Sequence, residues 1–374
     1  MKLTADSLED LSTGAVFLAT GGGGDPYVSY LATRRVLEEF GPAELISVDE
    51  LDDDAYVAAI GAVGAPSVSL ELLPSVDDAA IALAVFERHV GRKVDAVISF
   101  EIGGGNSMIP IMAAASRGVP VVNGDGMGRA LPEAQMMTYP IAGVLPTPAI
   151  GLDYAGNIVT FSTDTTATYE RHVRSMAQVM AGMITTVEHP MTGQQVKASV
   201  VPGTISFSIE IGRILREHRG NAQRIYQPLR EAFARSLYGD LFHIYTGKVV
   251  DHASSVIGGY DIGEAVIESF DSDASQLRIS IKNEYLVARI GDQVVASVPD
   301  LIVMLDYETS MPINAERLRY GQRVTVYGVG CPSFYRTANA MAVVAPRCFG
   351  FDFDFVPIED LTHAHRPLPQ LKGR

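Results

Sequence analysis

Two cysteines in 374 residues cannot make a disulfide framework, and Cys331 and Cys348 fall far short of a zinc-binding pattern. His-Glu-x-x-His does not occur either, which removes one familiar catalytic zinc site. Basic residues are scarce against acidic ones, 29 Lys and Arg to 44 Asp and Glu. The net charge of −15 repels a phosphate backbone, and no basic run or interleaved aromatic stripe offsets it, so nucleic acid is excluded as a partner. No apolar run reaches membrane-spanning length, and the N-terminal MKLTADSLEDL carries charge where a signal peptide needs an apolar core. A soluble, cytoplasmic protein with no membrane partner is the expectation. What is abundant is core: 47% hydrophobic against 20% charged residues argues against disorder, and the length predicts two domains.

The chain is organised around Val94–Tyr139. Val94–Phe100 is a short, β-branched apolar run that predicts a buried strand, broken at Glu101 into Gly103-Gly104-Gly105-Asn106-Ser107. Met108–Ser116 has the spacing of a packed helix, Gly118 sits where a C-cap glycine belongs, and Val119–Asn123 predicts a second strand. Strand, glycine loop, helix and strand make one parallel crossover. Ligands bind beyond the carboxyl ends of such strands. Here those ends carry Glu101 and Asn106, then Asp125, Arg129 and Glu133. A glycine run before a helix leaves amide N–H groups free to meet an anion or developing negative charge.

Upstream, Ser7–Leu11 reads as a short amphipathic helix and Ala15–Thr20 as a buried apolar run ending in Gly21-Gly22-Gly23-Gly24-Asp25. Asp25 can cap the helix predicted over Tyr27–Phe40, and the four glycines offer a second loop with backbone donors. Glu71 stands among leucines after the strand predicted at Val57–Val63, where a carboxylate is costly unless paired or used. Downstream, Thr168–Met183, Thr204–His218 and Gln223–Tyr238 have helical periodicity; Glu170 and Arg174 form an i, i+4 pair expected to be structural. From Asp240 the period changes from 3.6 to 2, with short alternating segments split by turns such as Gly291-Asp292. The fold class is therefore α/β: an N-terminal open α/β domain with a mostly parallel sheet over residues 1–239, and a smaller all-β domain over residues 240–374. Phe349–Pro357, alternating aromatic and acidic, predicts a final strand returning to the first domain, and the basic end is expected to fray.

Several blocks, in order, carry a family likeness: LATGGGGDPY, EIGGGNS, NGDGMGRALPEAQM, NEYLVARIGDQVVASVPDLI, LRYGQRVTVYG and APRCFGFDFDFVPIE. Over nearly its whole length the chain resembles the S-methyl thiohydantoin desulfurase family, often encoded near hydantoinase and oxoprolinase proteins. The resemblance implies an α/β domain joined to a β domain and hydrolysis of a five-membered cyclic amide or amidine ring. The named reaction takes an S-methylated thiohydantoin from ergothioneine catabolism to a hydantoin and methanethiol. Two departures stand out. Asn123 occupies a position usually held by Asp, and Cys331 lies in a stretch commonly without cysteine.

Water attack at a carbon between two nitrogens needs a base for water and an acid for the ring nitrogen. Glu101, Asp125, Glu71 and Glu133 are the catalytic candidates. Gly22, Gly23, Gly24, Asp25, Gly103, Gly104, Gly105, Asn106 and Arg129 are the candidates for binding substrate, Arg129 through a substrate carboxylate. Carboxylates also suit a divalent metal ion, for which Glu71, Glu101 and Asp125 are the candidate ligands; whether one is needed stays open. The expected partner is a small-molecule substrate, and the expected state a homo-oligomer. Two other readings remain. A nucleotide-binding protein would also use glycine loops, although EIGGGNS lacks the Lys-Ser/Thr of a P-loop, and a binding subunit of a hydantoinase-like assembly would need no chemistry of its own.

Overall fold

The structure, a computed structural model, describes residues 1–65, 68, 75–220, 222–270 and 275–364. The apolar run at its centre becomes the strand Ala96–Ser99, every residue of it buried. It pairs in parallel with Tyr56–Gly64 on one side and Val121–Asp125 on the other, and Val121–Asp125 pairs in parallel with Ala43–Ile46. The helix Ile109–Arg117 makes the crossover between two of these strands and ends at Gly118, whose φ of 69° closes the helix in the left-handed region. Asp78–Val90 makes the preceding crossover. Among the described residues the sheet has nine strands. Antiparallel additions, Met183–Thr192, Ala149–Leu152 and Ile158–Phe161, extend it beyond the parallel centre. Helices cover it, and one large core runs through this layer into part of the next.

The second sheet begins at Leu241 and, among the described residues, is antiparallel throughout, with seven strands in the order 293–297, 284–290, 277–282, 260–269, 241–257, 323–329, 301–306. Its interior face forms a separate apolar cluster around Ile267, Ile279, Ala288 and Val326. The two layers are fastened through Thr20. Its carbonyl accepts from Tyr285 N at 2.7 Å and its hydroxyl from Arg129 Nη2 at 2.7 Å. Thr20 sits at φ 52°, a conformation costly for a β-branched residue, which these bonds hold in place.

One expectation is refined and one fails, each for a local reason. Ala15–Thr20 is buried as expected, as the last turn of the helix Ala5–Leu18 and the two residues that follow it. Phe349–Pro357 forms no strand. Asp352 and Asp354 bind Arg347, while Phe351 and Phe353 take the guanidinium of Arg289 at 5.4 and 5.2 Å, so the alternation is satisfied by side chains without a ladder.

Candidate functional site

At the carboxyl end of Ala96–Ser99 the chain turns inward. Ser99 Oγ donates to Glu101 O at 2.5 Å and to Asn106 O at 3.3 Å, folding the glycine loop back over its own strand. This brings Asn106 Nδ2 to Glu101 Oε1 at 2.5 Å, while Asn106 Oδ1 accepts from Ala62 N at 2.8 Å on the neighbouring strand. Glu101 is 6% exposed. Burial pushes its carboxyl up to about 7; the Asn106 amide opposes this and the Asp125 charge adds to it.

Glu101 and Asn106 line a cavity of about 140 Å³ between the layers, together with Gly23, Gly24 and Gly105 and apolar walls that include Phe100, Ile109, Met112, Met127 and Leu131. One water needs only about 10–15 Å³ by the same measure, so the space suits a small organic molecule. Seven carboxyl groups face it: Asp25, Asp78, Glu101, Glu133, Glu170, Glu188 and Glu284. Four are tied down. Glu170 binds Arg174 and Tyr260, Glu133 binds Lys282 and Gln135, Asp25 binds Arg317, and Tyr169 donates to Glu188. Glu188 Oε1 also lies 3.1 Å from His189 Nδ1, but without hydrogen-bond geometry. Glu101 and Glu284 have no ion-pair partner among the described residues.

The other sequence candidates divide. Glu133, Asp25, Gly23, Gly24, Gly105 and Asn106 are on the cavity wall. Asp125 is not; it is fully buried, its Oδ1 accepting from Met127 N and Gly128 N, both at 2.7 Å. Its Oδ2 has the Thr204 hydroxyl and the Ile102 amide as polar neighbours, neither in hydrogen-bond geometry. Burial raises this carboxyl to about 6, against the Thr204 hydroxyl and its backbone donors. Arg129 does not reach the cavity, contrary to the expectation that it binds a substrate carboxylate. Its guanidinium is consumed by the carbonyls of Ala130, Pro299 and Asp300 and by Thr20, all within 2.7–3.0 Å, and it serves as a rivet between the layers.

The glycine loops spend part of the amides expected to be free. They close on each other: Gly105 N donates to Gly23 O at 2.8 Å, Asn106 N to Gly23 O at 3.3 Å and Ser107 N to Gly103 O at 2.9 Å. A Cβ on Gly23 would fall 2.4 Å from Gly103 Cα, so the contact of backbone on backbone is what requires glycine there. Gly22, Gly103 and Gly104 pack behind the wall.

The residue missed from sequence is Glu284, placed by an irregular corner of the second sheet. Asn283 adopts φ 59°, its amide exchanging bonds with Asp261 at 2.7 and 2.8 Å, and turns the next side chain toward the first layer. Glu284 is 2% exposed, and burial with the nearby Glu101 charge holds its carboxyl well above the ordinary carboxylate range, against the pull of Arg129. Asn-Glu at the head of a strand was the available clue, but alternation alone assigns such a residue to a solvent face.

Family comparison agrees with this two-layer arrangement. The S-Me-THD-like N-terminal domain matches residues 6–163 and the S-Me-THD-like C-terminal domain matches residues 163–358. The chain belongs to the S-Me-THD-like family. An X-ray structure of a Chromobacterium violaceum protein from a structural genomics programme is similar in fold, with a TM-score of 0.79, 22% identity, and coverage of 96% of this chain and 100% of that one. No curated protein matches. The S-Me-THD-like C-terminal match begins inside the first sheet, since Met183–Thr192 pairs with Tyr56–Gly64. Asn123, the departure from the S-Me-THD-like pattern, faces away from the cavity and brackets the start of the helix Thr204–Glu217, donating to Ser206 Oγ at 2.9 Å and accepting from Ser206 N at 3.1 Å. Glu71 lies outside the described residues. Among the described residues no group of three or more His, Cys, Asp or Glu side chains is placed to hold a metal ion, and Asp125 is held by backbone amides away from Glu101's cavity wall.

Proposed function

We propose that this chain is a hydrolase that adds water to a carbon flanked by two nitrogens in a five-membered ring, an S-methyl thiohydantoin being the substrate its family favours. The carrying observation is Glu101. It is a cavity-wall carboxyl nine-tenths buried, oriented by Asn106 and raised to about 7, so that near neutral pH it is poised between accepting and holding a proton. Deprotonating an attacking water is the task this environment suits. Apolar walls exclude bulk water around a flat ring, and the tied carboxylates leave ring N–H groups as the natural polar contacts.

The test is turnover of synthetic S-methyl thiohydantoins by the purified chain alone, followed as thiol release, with hydantoin and oxoproline as comparison substrates. Release of methanethiol by wild type, falling about a hundredfold in Glu101→Gln, supports the reading. Tight ring binding without turnover would instead make the chain a binding subunit.

A further inference from the structure

We propose that Glu284, carried by the second sheet, is the proton donor of this cavity and works with Glu101 as acceptor. The inference deepens the hydrolytic reading and rests on it. Glu284 lines the cavity, yet its Oε2 is buried and has no hydrogen-bond partner among the described residues. Its other oxygen lies against Gly22, where a Cβ would come within 2.2 Å of Oε1; the missing side chain at Gly22 makes room for this carboxyl. A buried carboxylate lacking donors is costly, whereas the neutral acid keeps an O–H to give. The charged groups that bear on it are Glu101, which favours the proton's retention, and Arg129 and Arg174, which oppose it. Arg129 is committed to four acceptors and Arg174 to Glu170 and Pro132 O, so neither neutralises Glu284 directly.

The proton inventory closes. Water's oxygen bonds to the ring carbon as Glu101 takes one water proton and Glu284 gives its proton to the ring nitrogen. The adduct then carries hydroxyl, N–H and methylthio groups. On collapse the hydroxyl proton returns to Glu284, the carbonyl forms, and the C–S electron pair leaves with sulfur, which takes the proton held by Glu101. Both carboxyls regain their starting states and methanethiol departs, with no oxidant or reductant required. Two acids from different layers of the molecule thus hold opposite roles, as pairs of carboxyls in unlike environments do.

A neutral S-methyl thiohydantoin needs a proton on nitrogen, whereas its N1,N3-dimethylated cation does not. Rates on both, each divided by the rate in buffer, are compared for wild type, Glu284→Gln and Glu284→Asp, with thermal melting as the check on folding. The expected result is that Glu284→Gln loses about a hundredfold on the neutral ring but only a few-fold on the cation, with Glu284→Asp recovering part of the loss. Equal loss on both rings, or none on either, overturns the assignment, as does a wild type active only on the neutral ring with Glu284→Asp no better than Glu284→Gln. Wild type inert toward both rings removes the hydrolytic reading, and the donor with it. Turnover untouched in Glu284→Gln removes the donor alone.

Discussion

Replacing Glu101 by Gln should stabilise the folded protein at alkaline pH while abolishing most of its activity. The ordinary value for this carboxyl is 4.5 and the folded protein raises it to about 7. Between those values the folded state keeps a proton that the unfolded chain releases, so stability falls as pH rises through the window and the full penalty is present above pH 7. An interval of about 2.5 pH units at about 1.4 kcal/mol per unit comes to about 3 kcal/mol. The substituted glutamine is neutral at every pH and its amide oxygen can still accept from Asn106, so the variant escapes that penalty without losing the contact. With an unfolding entropy of about 2.1 cal/mol/K per residue, 3 kcal/mol over this chain is about 4 °C in Tm. Calorimetry of both proteins from pH 4.5 to 8.5 should therefore show curves that nearly meet at the acid end and separate by about 4 °C at pH 8, the variant higher. Asp125 and Glu284, also raised, remain in both proteins; because the Glu101 charge is part of what raises Glu284, the difference curve reports Glu101 together with its coupling to that carboxyl. A variant melting at or below wild type at pH 8 would refute the reasoning, because it would mean that the ionised carboxylate supports the fold.

The rate should show the same group from the other side: kcat/KM should climb through about pH 7 as Glu101 ionises, and that limb should vanish in Glu101→Gln, which initial rates between pH 5 and 9 would reveal. Arg129→Met should cost at least about 3 kcal/mol in urea unfolding, since it orphans buried acceptors in both layers, while KM of the folded enzyme stays near wild type. Gly22→Ala should fold, because the clash is with the end of a side chain, but should displace Glu284 and lower kcat about a hundredfold. Cys331→Ser should retain nearly the full rate, because burial beside Asp300 keeps the thiol protonated and off the cavity wall; an inactive but folded variant would shift attention to covalent chemistry.

Much of the first layer was legible because local and global preferences coincide there. Val94–Phe100, Gly118 and Val121–Asp125 each have one cheap conformation, and together they allow only a parallel crossover. Where the reading went astray, a partner distant in sequence decided. Residues 349–357 have the alternation of a strand, but Arg289 and Arg347 supply cations that satisfy its rings and acids separately. Leu301–Asp306, which pairs with Arg323–Val329, is buried on both faces, so it lacks the period-2 contrast by which the other strands of this layer are recognised.

The same distinction separates the two carboxyls of the site. Glu101 could be found from sequence because its position depends on neighbours within a few residues: the strand that ends before it, Ser99 below it and Asn106 beside it. Glu284 depends on Gly22, some 260 positions earlier, and on a left-handed Asn283 that alternation does not reveal. Asp125 and Arg129 show the converse, polar residues at strand ends whose partners prove to be backbone amides and carbonyls. A buried carboxyl at a strand end is thus a functional candidate only when it lines the cavity and carries no ion pair. By that criterion the site rests on one acid of the first sheet and one of the second, in the cavity between the layers that Thr20 and Arg129 fasten together.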